Sequence, residues 1–285
     1  MPHGGRYFSL MGNLNWCIPK FLRLIPPHET RIEATCGCGE LVWYLPPAKT
    51  EIMNDLNAET QNIHQLVQNL TKTQYQQLKT MNWLMTKETF DNVKRMIPTN
   101  EVETLYKFLY ITYGRKKETV VGKNAEFFSV RGGHTKSIRS LATAHKRLKN
   151  VIFTNLDVND ALLKYDSPTT YAFIDPPYLA KDVFYNVTSF DWIKLCNTLR
   201  TLKGKWGLIT TIDVDYKNLS QSVNNAYTVS GSKRALTSLM NDYTVQVFSR
   251  KSSAFTQLNG SKGTRTQKFY LITNYKPNNF RKYFG

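Results

Sequence analysis

The stretch Tyr171-Ala172-Phe173-Ile174-Asp175-Pro176-Pro177-Tyr178 decides the fold. Four apolar residues stopped by an acid and two prolines predict a short buried strand that ends in a stiff turn. Downstream, Trp206-Gly207-Leu208-Ile209-Thr210 is another apolar run, and the segment Asp191 to Leu202 between the two reads as a helix. That β-α-β alternation predicts a parallel sheet. Val151-Ile152-Phe153 is a further short strand, while Tyr243 to Phe248 and Lys268 to Ile272 alternate like an antiparallel pair at the sheet edge, joined by a loop over 250–266. Towards the start of the chain, Pro19 to Ile25 is a short amphipathic run and Arg31-Ile32-Glu33-Ala34 a strand. Thr35-Cys36-Gly37-Cys38-Gly39 follows as a glycine turn, then Glu40 to Tyr44 as a helix stopped by Pro46-Pro47. Glu51-Ile52-Met53 is a second strand ending at Asn54-Asp55. Residues 58–112 change character: they are rich in Gln, Asn and Thr, with Ile63, Leu66, Val67, Leu70, Val102, Leu105 and Leu109 at helical spacing. The expected class is α/β, with a sheet interrupted by a helical, basic insert.

The chain has 285 residues, 41% hydrophobic and 13% aromatic, enough for a buried core and against disorder. It contains no apolar run long enough for a membrane-spanning helix, and no apolar stretch of signal-peptide length follows Met1-Pro2-His3-Gly4-Gly5-Arg6. Four cysteines in so long a chain do not make a disulfide scaffold. These features predict an intracellular, cytoplasmic protein. The net charge of +17 is unevenly spread: residues 115–150 and 250–285 each carry a surplus of +8, leaving +1 for the rest. Solvated lysine-rich faces are the plain account of such a surplus. Concentrated charge interleaved with Phe127, Phe128, Gly132, Gly133, Phe255, Gly260 and Gly263 instead points to a polyanion, nucleic acid above all.

Ligands of open α/β sheets bind beyond the carboxyl ends of the strands, where Asp175-Pro176-Pro177-Tyr178 falls. The prolines fix φ and remove N–H groups, so carbonyls are left to face a substrate. A carboxylate beside a carbonyl makes two acceptors, a match for an exocyclic amine with two N–H donors. Accepting both hydrogens favours a pyramidal nitrogen whose lone pair can attack, and Tyr178 offers a flat face for a base. A plain turn with a surface acid is the ordinary alternative. Gly37-x-Gly39 after a strand, with Asp55 at the end of the next, is the second signal: glycines admit a ligand to the backbone, and the acid can accept from ribose hydroxyls. A lone GxG also occurs in ordinary turns. No third glycine forms a pyrophosphate fingerprint and no GK[ST] a triphosphate loop, which favours an adenosine ligand such as S-adenosylmethionine. Cys36 and Cys38 are poorly spaced for zinc and read as buried thiols. The five histidines form no triad with a nucleophile elbow. A site without metal or nucleophile fits methyl transfer.

With both motifs in place, the chain resembles the Dam-like, DPPY-bearing group of adenine-N6-specific DNA methyltransferases over nearly its whole length. Trp16-Cys17-Ile18-Pro19-Lys20 lies over the family's W-x-x-x-K, Glu33 to Gly39 over E-P-F-x-G-x-G, and Asn54-Asp55-Leu56-Asn57 over N-D-I-N. Asn155-Leu156-Asp157 resembles N-x-D, Phe173 to Leu179 matches the catalytic motif, Tyr185 and Phe190 fall where the family has aromatics, and Ile272-Thr273-Asn274-Tyr275 resembles its closing strand. The resemblance implies a Rossmann-like methyltransferase sheet over 1–57 and 151–285, with a helical target-recognition insert over 58–150. It implies S-adenosyl-L-methionine as cofactor, touched by Trp16, Lys20, Gly37, Gly39, Asp55, Asp157 and Asp175. Asp175 and the Pro176 carbonyl would accept from the target amine, and Tyr178 would hold a flipped adenine.

Double-stranded DNA is the implied partner, with no membrane and no metal; a separate cognate restriction enzyme is a further candidate. The candidate DNA contacts are Arg115, Lys116, Lys117, Arg131, Lys136, Arg139, Lys262 and Arg265. Two departures stand out. The family's Phe is Thr35 here and its Pro is Ala34, so an aromatic wall beside the cofactor is missing. The segment between Tyr110 and Phe127 is also shorter than the usual recognition loop. N4 of cytosine as target, and a catalytically silent DNA-binding relative, are the alternatives.

Overall fold

The computed structural model describes residues 5–9, 14, 16–115, 125–128, 133–179, 190–212, 223–252 and 265–278. It is a mixed α/β structure with a seven-stranded sheet. The strands are β1 (Thr30–Glu33), β2 (Thr50–Asn54), β3 (Val151–Thr154), β4 (Thr170–Ile174), β5 (Lys205–Thr210), β6 (Thr244–Ser252) and β7 (Arg265–Thr273). The chain divides into two compact units, one spanning 1–22 and 36–157, the other 23–35 and 158–283.

In the first unit β2 and β3 run parallel, with Glu51 opposite Val151 and Asn54 opposite Thr154. A short helix α1 (Ile18–Phe21) is followed by a single 3-10 turn over Leu22–Leu24. Helices α2 (Ala58–Gln68), α3 (Lys72–Thr80), α4 (Lys87–Arg95), α5 (Glu101–Gly114) and α6 (Gly133–Leu148) make up the rest. Local chemistry explains their starts. Asn57, Thr71, Thr86 and Asn100 each accept a hydrogen bond from a backbone N–H three residues on, and Thr71 and Gln74 complete a capping box. The apolar residues at helical spacing then face inward: Ile63, Val67, Leu105 and Leu109 are buried, with Leu66, Leu70 and Val102 partly so. At the far end of α6, Arg147 pairs with Glu51 of β2 through two contacts of 2.6 and 2.7 Å.

In the second unit the strand order is β1-β4-β5-β7-β6, parallel through β5 and antiparallel beyond. Every residue of β4 is buried, as expected of a parallel strand covered on both faces. Helices α7 (Val158–Lys164), α8 (Trp192–Thr201) and α9 (Val223–Asp242) belong here. Arg200 of α8 reaches Asp242 at the end of α9 at 2.7 Å, and the Trp206 indole donates to the Leu199 carbonyl at 2.9 Å.

Two local expectations differ from the structure. Glu40 to Tyr44 does not form an α-helix: Leu41–Trp43 is one 3-10 turn, with the N–H groups of Tyr44 and Leu45 both ending on the Leu41 carbonyl. Left-handed Gly39 on one side and Pro46 on the other leave too few residues for a helix to propagate. The edge strands β6 and β7 extend to Ser252 and back to Arg265, so the ends of the segment read as a loop are strand. Within the stretch expected to be helical and basic, residues 115–150 close in helix α6. Among the described residues, no helix is long and apolar enough to cross a membrane.

Candidate active site

In the second unit, β1 and β4 lie side by side and parallel, with Glu33 opposite Phe173, so both carboxyl ends open in the same direction. The ladder continues one step past the strands, where the Ala34 N–H donates to the Phe173 carbonyl at 2.9 Å. Beyond it the chain turns into Asp175-Pro176-Pro177-Tyr178 from β4 and into Thr35 from β1. The Asp175 N–H donates to the Thr35 hydroxyl oxygen at 2.9 Å. Asp175 is partly exposed, Pro176 is buried, and Tyr178 is 4% exposed. The Tyr178 ring meets Phe269 of β7 edge to face, with centroids 5.9 Å apart. A carboxylate at the strand end, a proline carbonyl after it and an aromatic ring supported from behind are thus assembled within this unit.

In the first unit the glycine turn is held at every carbonyl from Cys36 to Gly39. Cys36 O accepts from the Gly39 N–H at 2.7 Å, Gly37 O from His64 Nε2 at 2.8 Å, Cys38 O from the Trp43 indole at 2.8 Å and Gly39 O from Arg6 at 2.6 Å. Gly37 and Gly39 take φ of +49° and +76°, a region that favours glycine. A side chain at Gly39 would also collide, since a Cβ there would stand 2.8 Å from Trp43 Nε1 and from Val42 Cγ1.

Asp55 closes the turn from below. Its Oδ2 accepts from the Gly37 N–H at 2.7 Å and its Oδ1 from the Asn57 N–H at 2.9 Å. Burial pushes the Asp55 carboxyl above its ordinary range, against the pull of those two donors. Each carboxylate oxygen can take a second hydrogen bond, so the group is able to meet a ribose hydroxyl as well. The end of β3 is clamped to the end of β2. Asn54 accepts from the Leu156 N–H and donates to the Leu156 carbonyl, both at 3.0 Å, and Asn155 donates to the Asp55 carbonyl at 2.7 Å. Asp157 follows directly and is partly exposed.

The remaining expected positions divide. Trp16 lies in the turn before α1 and Lys20 is exposed on α1. That segment is tied to the glycine turn by the Leu14 N–H, which donates to Glu40 Oε1 at 3.2 Å. Arg139 is exposed on α6. Arg115 is 6% exposed, bridges to Phe127 in antiparallel fashion, and has its pKa lowered by burial. Lys136 and Arg265 belong to α6 and β7, with side chains outside the described set; Lys116, Lys117, Arg131, Lys262 and Tyr185 lie outside the described residues altogether. Cys36 and Cys38 are buried with free thiols. Among the described residues, no group of three or more His, Cys, Asp or Glu is arranged to hold a metal ion.

Sequence reading missed the support of the glycine turn. His64 is fully buried, and because a carbonyl can only accept, its Nε2 carries the proton while Nδ1 accepts from the Tyr7 hydroxyl at 2.7 Å. Burial lowers its pKa to about 4, so the ring is neutral. The Tyr113 hydroxyl in turn holds the Tyr7 carbonyl at 2.6 Å. No periodicity or motif joins Tyr7, His64 and Gly37. The Thr35 bond did have a visible sign, since Thr35 is where the chain departs from the pattern it otherwise resembles.

Comparison with known proteins gives a family match. The sequence model for the D12 class N6 adenine-specific DNA methyltransferase family matches residues 8–247. No curated protein matches the chain. Among solved structures, the precorrin 8w decarboxylase of Methanobacterium thermoautotrophicum is similar at a TM-score of 0.36 and 8% identity, covering 94% of each chain. A likeness that weak carries no argument about this site.

Proposed function

The chain belongs to the D12 class of N6 adenine-specific DNA methyltransferases, and from that premise we propose that it takes the methyl group from S-adenosyl-L-methionine and places it on an adenine flipped out of double-stranded DNA. Methylation of adenine N6 in DNA is the activity of the family. The donor, the flipping and the residue roles are our reading. The observation that carries it is the turn after β4, where Asp175 is held at its N–H and two prolines follow.

The first unit's donor set fits an adenosine-bearing methyl donor. Asp55 keeps lone pairs for ribose hydroxyls, Gly37 and Gly39 lie in a turn of positive φ, and Asp157, Trp16 and Lys20 supply further polar and aromatic contacts. S-adenosyl-L-methionine supplies a methyl group on a sulfonium, already activated for transfer. The protein's task is then to bind, orient and accept protons. The Asp175 carboxylate and the Pro176 carbonyl accept the two amine hydrogens, drawing the nitrogen towards a pyramidal geometry with its lone pair exposed. Tyr178 stacks on the base, a contact of about 1–3 kcal/mol in nucleic-acid sites. As the amine nitrogen forms its bond to the methyl carbon, the methyl–sulfur bond would break with its electron pair left on the departing thioether, and the nitrogen would give up one proton, for which the Asp175 carboxylate is the neighbouring base. Positioning and fixed dipoles supply most of the acceleration in such a site.

Residues 58–150 serve as the target-recognition part, and the basic stretches 115–150 and 250–266 follow the phosphate backbone, with Lys116, Lys117, Arg131, Lys136, Arg139, Lys262 and Arg265 as contacts, while Arg115, 6% exposed, is buried away from that role. The protein acts on DNA in the cytoplasm, with a cognate restriction enzyme as the partner to look for. The mechanism is tested by Asp175→Ala. Turnover should be abolished while DNA affinity stays within about twofold, because one of two amine acceptors is gone and the basic surface is untouched. Near-normal turnover in that variant would remove the mechanism.

A further inference from the structure

Thr35 stands where the resembling family carries phenylalanine, and its side chain does something a phenyl ring cannot. Its hydroxyl oxygen accepts the Asp175 N–H at 2.9 Å, directly after the last backbone bond between β1 and β4, from Ala34 N–H to Phe173 O. Asp175 is followed by Pro176 and Pro177, neither of which has an N–H. The Asp175 amide is therefore the last backbone donor before Tyr178, and so the one by which the neighbouring strand can grip the start of the turn. The carboxylate of Asp175 and the carbonyl of Pro176 both hang from that point.

We propose that Thr35 is a positioning residue that fixes the amine-accepting turn through the Asp175 N–H, a role that rests on the function proposed above. It gives the chain an acceptor on the β1 side in exchange for an aromatic wall. The consequence falls on the placement of the reacting amine, and so on kcat, more than on donor affinity.

The test compares Thr35→Val, which keeps the shape and deletes the acceptor, with Thr35→Ser, which keeps the hydroxyl. Steady-state methylation of unmethylated DNA gives kcat and the KM for S-adenosyl-L-methionine. Amide exchange at Asp175, read by NMR, reports on the bond itself. The Val variant should lose about tenfold in kcat, with KM within about twofold and Asp175 exchange at least about tenfold faster. The Ser variant should stay within about threefold of wild type on all three. Unchanged kcat or unchanged Asp175 exchange in an active, folded Val variant overturns the role of Thr35 and leaves the proposed function standing. A rise in KM alone also overturns it, because it would make Thr35 a cofactor contact. A wild-type chain that methylates no adenine removes the proposed function, and the positioning role with it, whatever the exchange rate.

Discussion

His64 sits between the Tyr7 hydroxyl at 2.7 Å and the Gly37 carbonyl at 2.8 Å, with the Phe153 ring stacked on it at 5.6 Å. Full burial lowers its pKa from 6.5 to about 4. A histidine lowered in this way contributes stability that is fully present above its unfolded value and is lost as pH falls through the folded one. The window is therefore from 6.5 down to about 4. At about 1.4 kcal/mol for each pH unit, the wild type should lose about 3 kcal/mol across it from this one ring. His64→Gln removes the titration while keeping a donor for the Gly37 carbonyl and an acceptor for Tyr7. Its smaller side chain adds a cost of its own, but one that does not vary with pH. Urea unfolding of both proteins near pH 7, 5.5 and 4 isolates the term: the stability difference should shift by about 3 kcal/mol in favour of the variant as pH falls. Parallel pH profiles would refute the reasoning, since the ring would then be able to take up its proton in the folded state.

Gly39→Ala should cost about 1–3 kcal/mol, through left-handed backbone at φ +76° and a new Cβ 2.8 Å from Trp43 and Val42. A drop in Tm reads it, and an unchanged Tm would mean that the glycine turn is shaped otherwise. Replacing Lys116 and Lys117 together by Gln should weaken DNA binding and lower the slope of log K against log salt by about two. An unaltered slope would take those lysines off the phosphate backbone.

Much of this arrangement was legible in the sequence because the governing signals are local. The apolar run Tyr171 to Ile174, stopped by an acid and two prolines, carries the signal of a buried strand entering a stiff turn, and β4 with Asp175 at its end is that element. The run Glu51-Ile52-Met53 before Asn54-Asp55 likewise became β2, with Asp55 under the glycine turn. What escaped depends on contacts between distant residues. His64 and Tyr7 are 57 positions apart, and Thr35 and Asp175 are 140 apart, so no spacing rule joins them. Helix α9 escaped for a different reason: Val223-Asn224-Asn225 and Ser230-Gly231-Ser232 are poor helix formers, and packing beside α8 overrides that weak propensity. The 3-10 turn at Leu41–Trp43 was over-read as helix because its apolar content looked right while the distance to Pro46 did not leave room.

The central claim is methyl transfer to adenine N6 by the site built on Asp175. Its most direct test is incubation of the full chain with labelled S-adenosyl-L-methionine and unmethylated double-stranded DNA, followed by mass spectrometry of the nucleosides. The account predicts label in N6-methyladenine, at a single recurring sequence when the same DNA is sequenced. Label in N4-methylcytosine, or DNA that is bound but stays unlabelled, would contradict it.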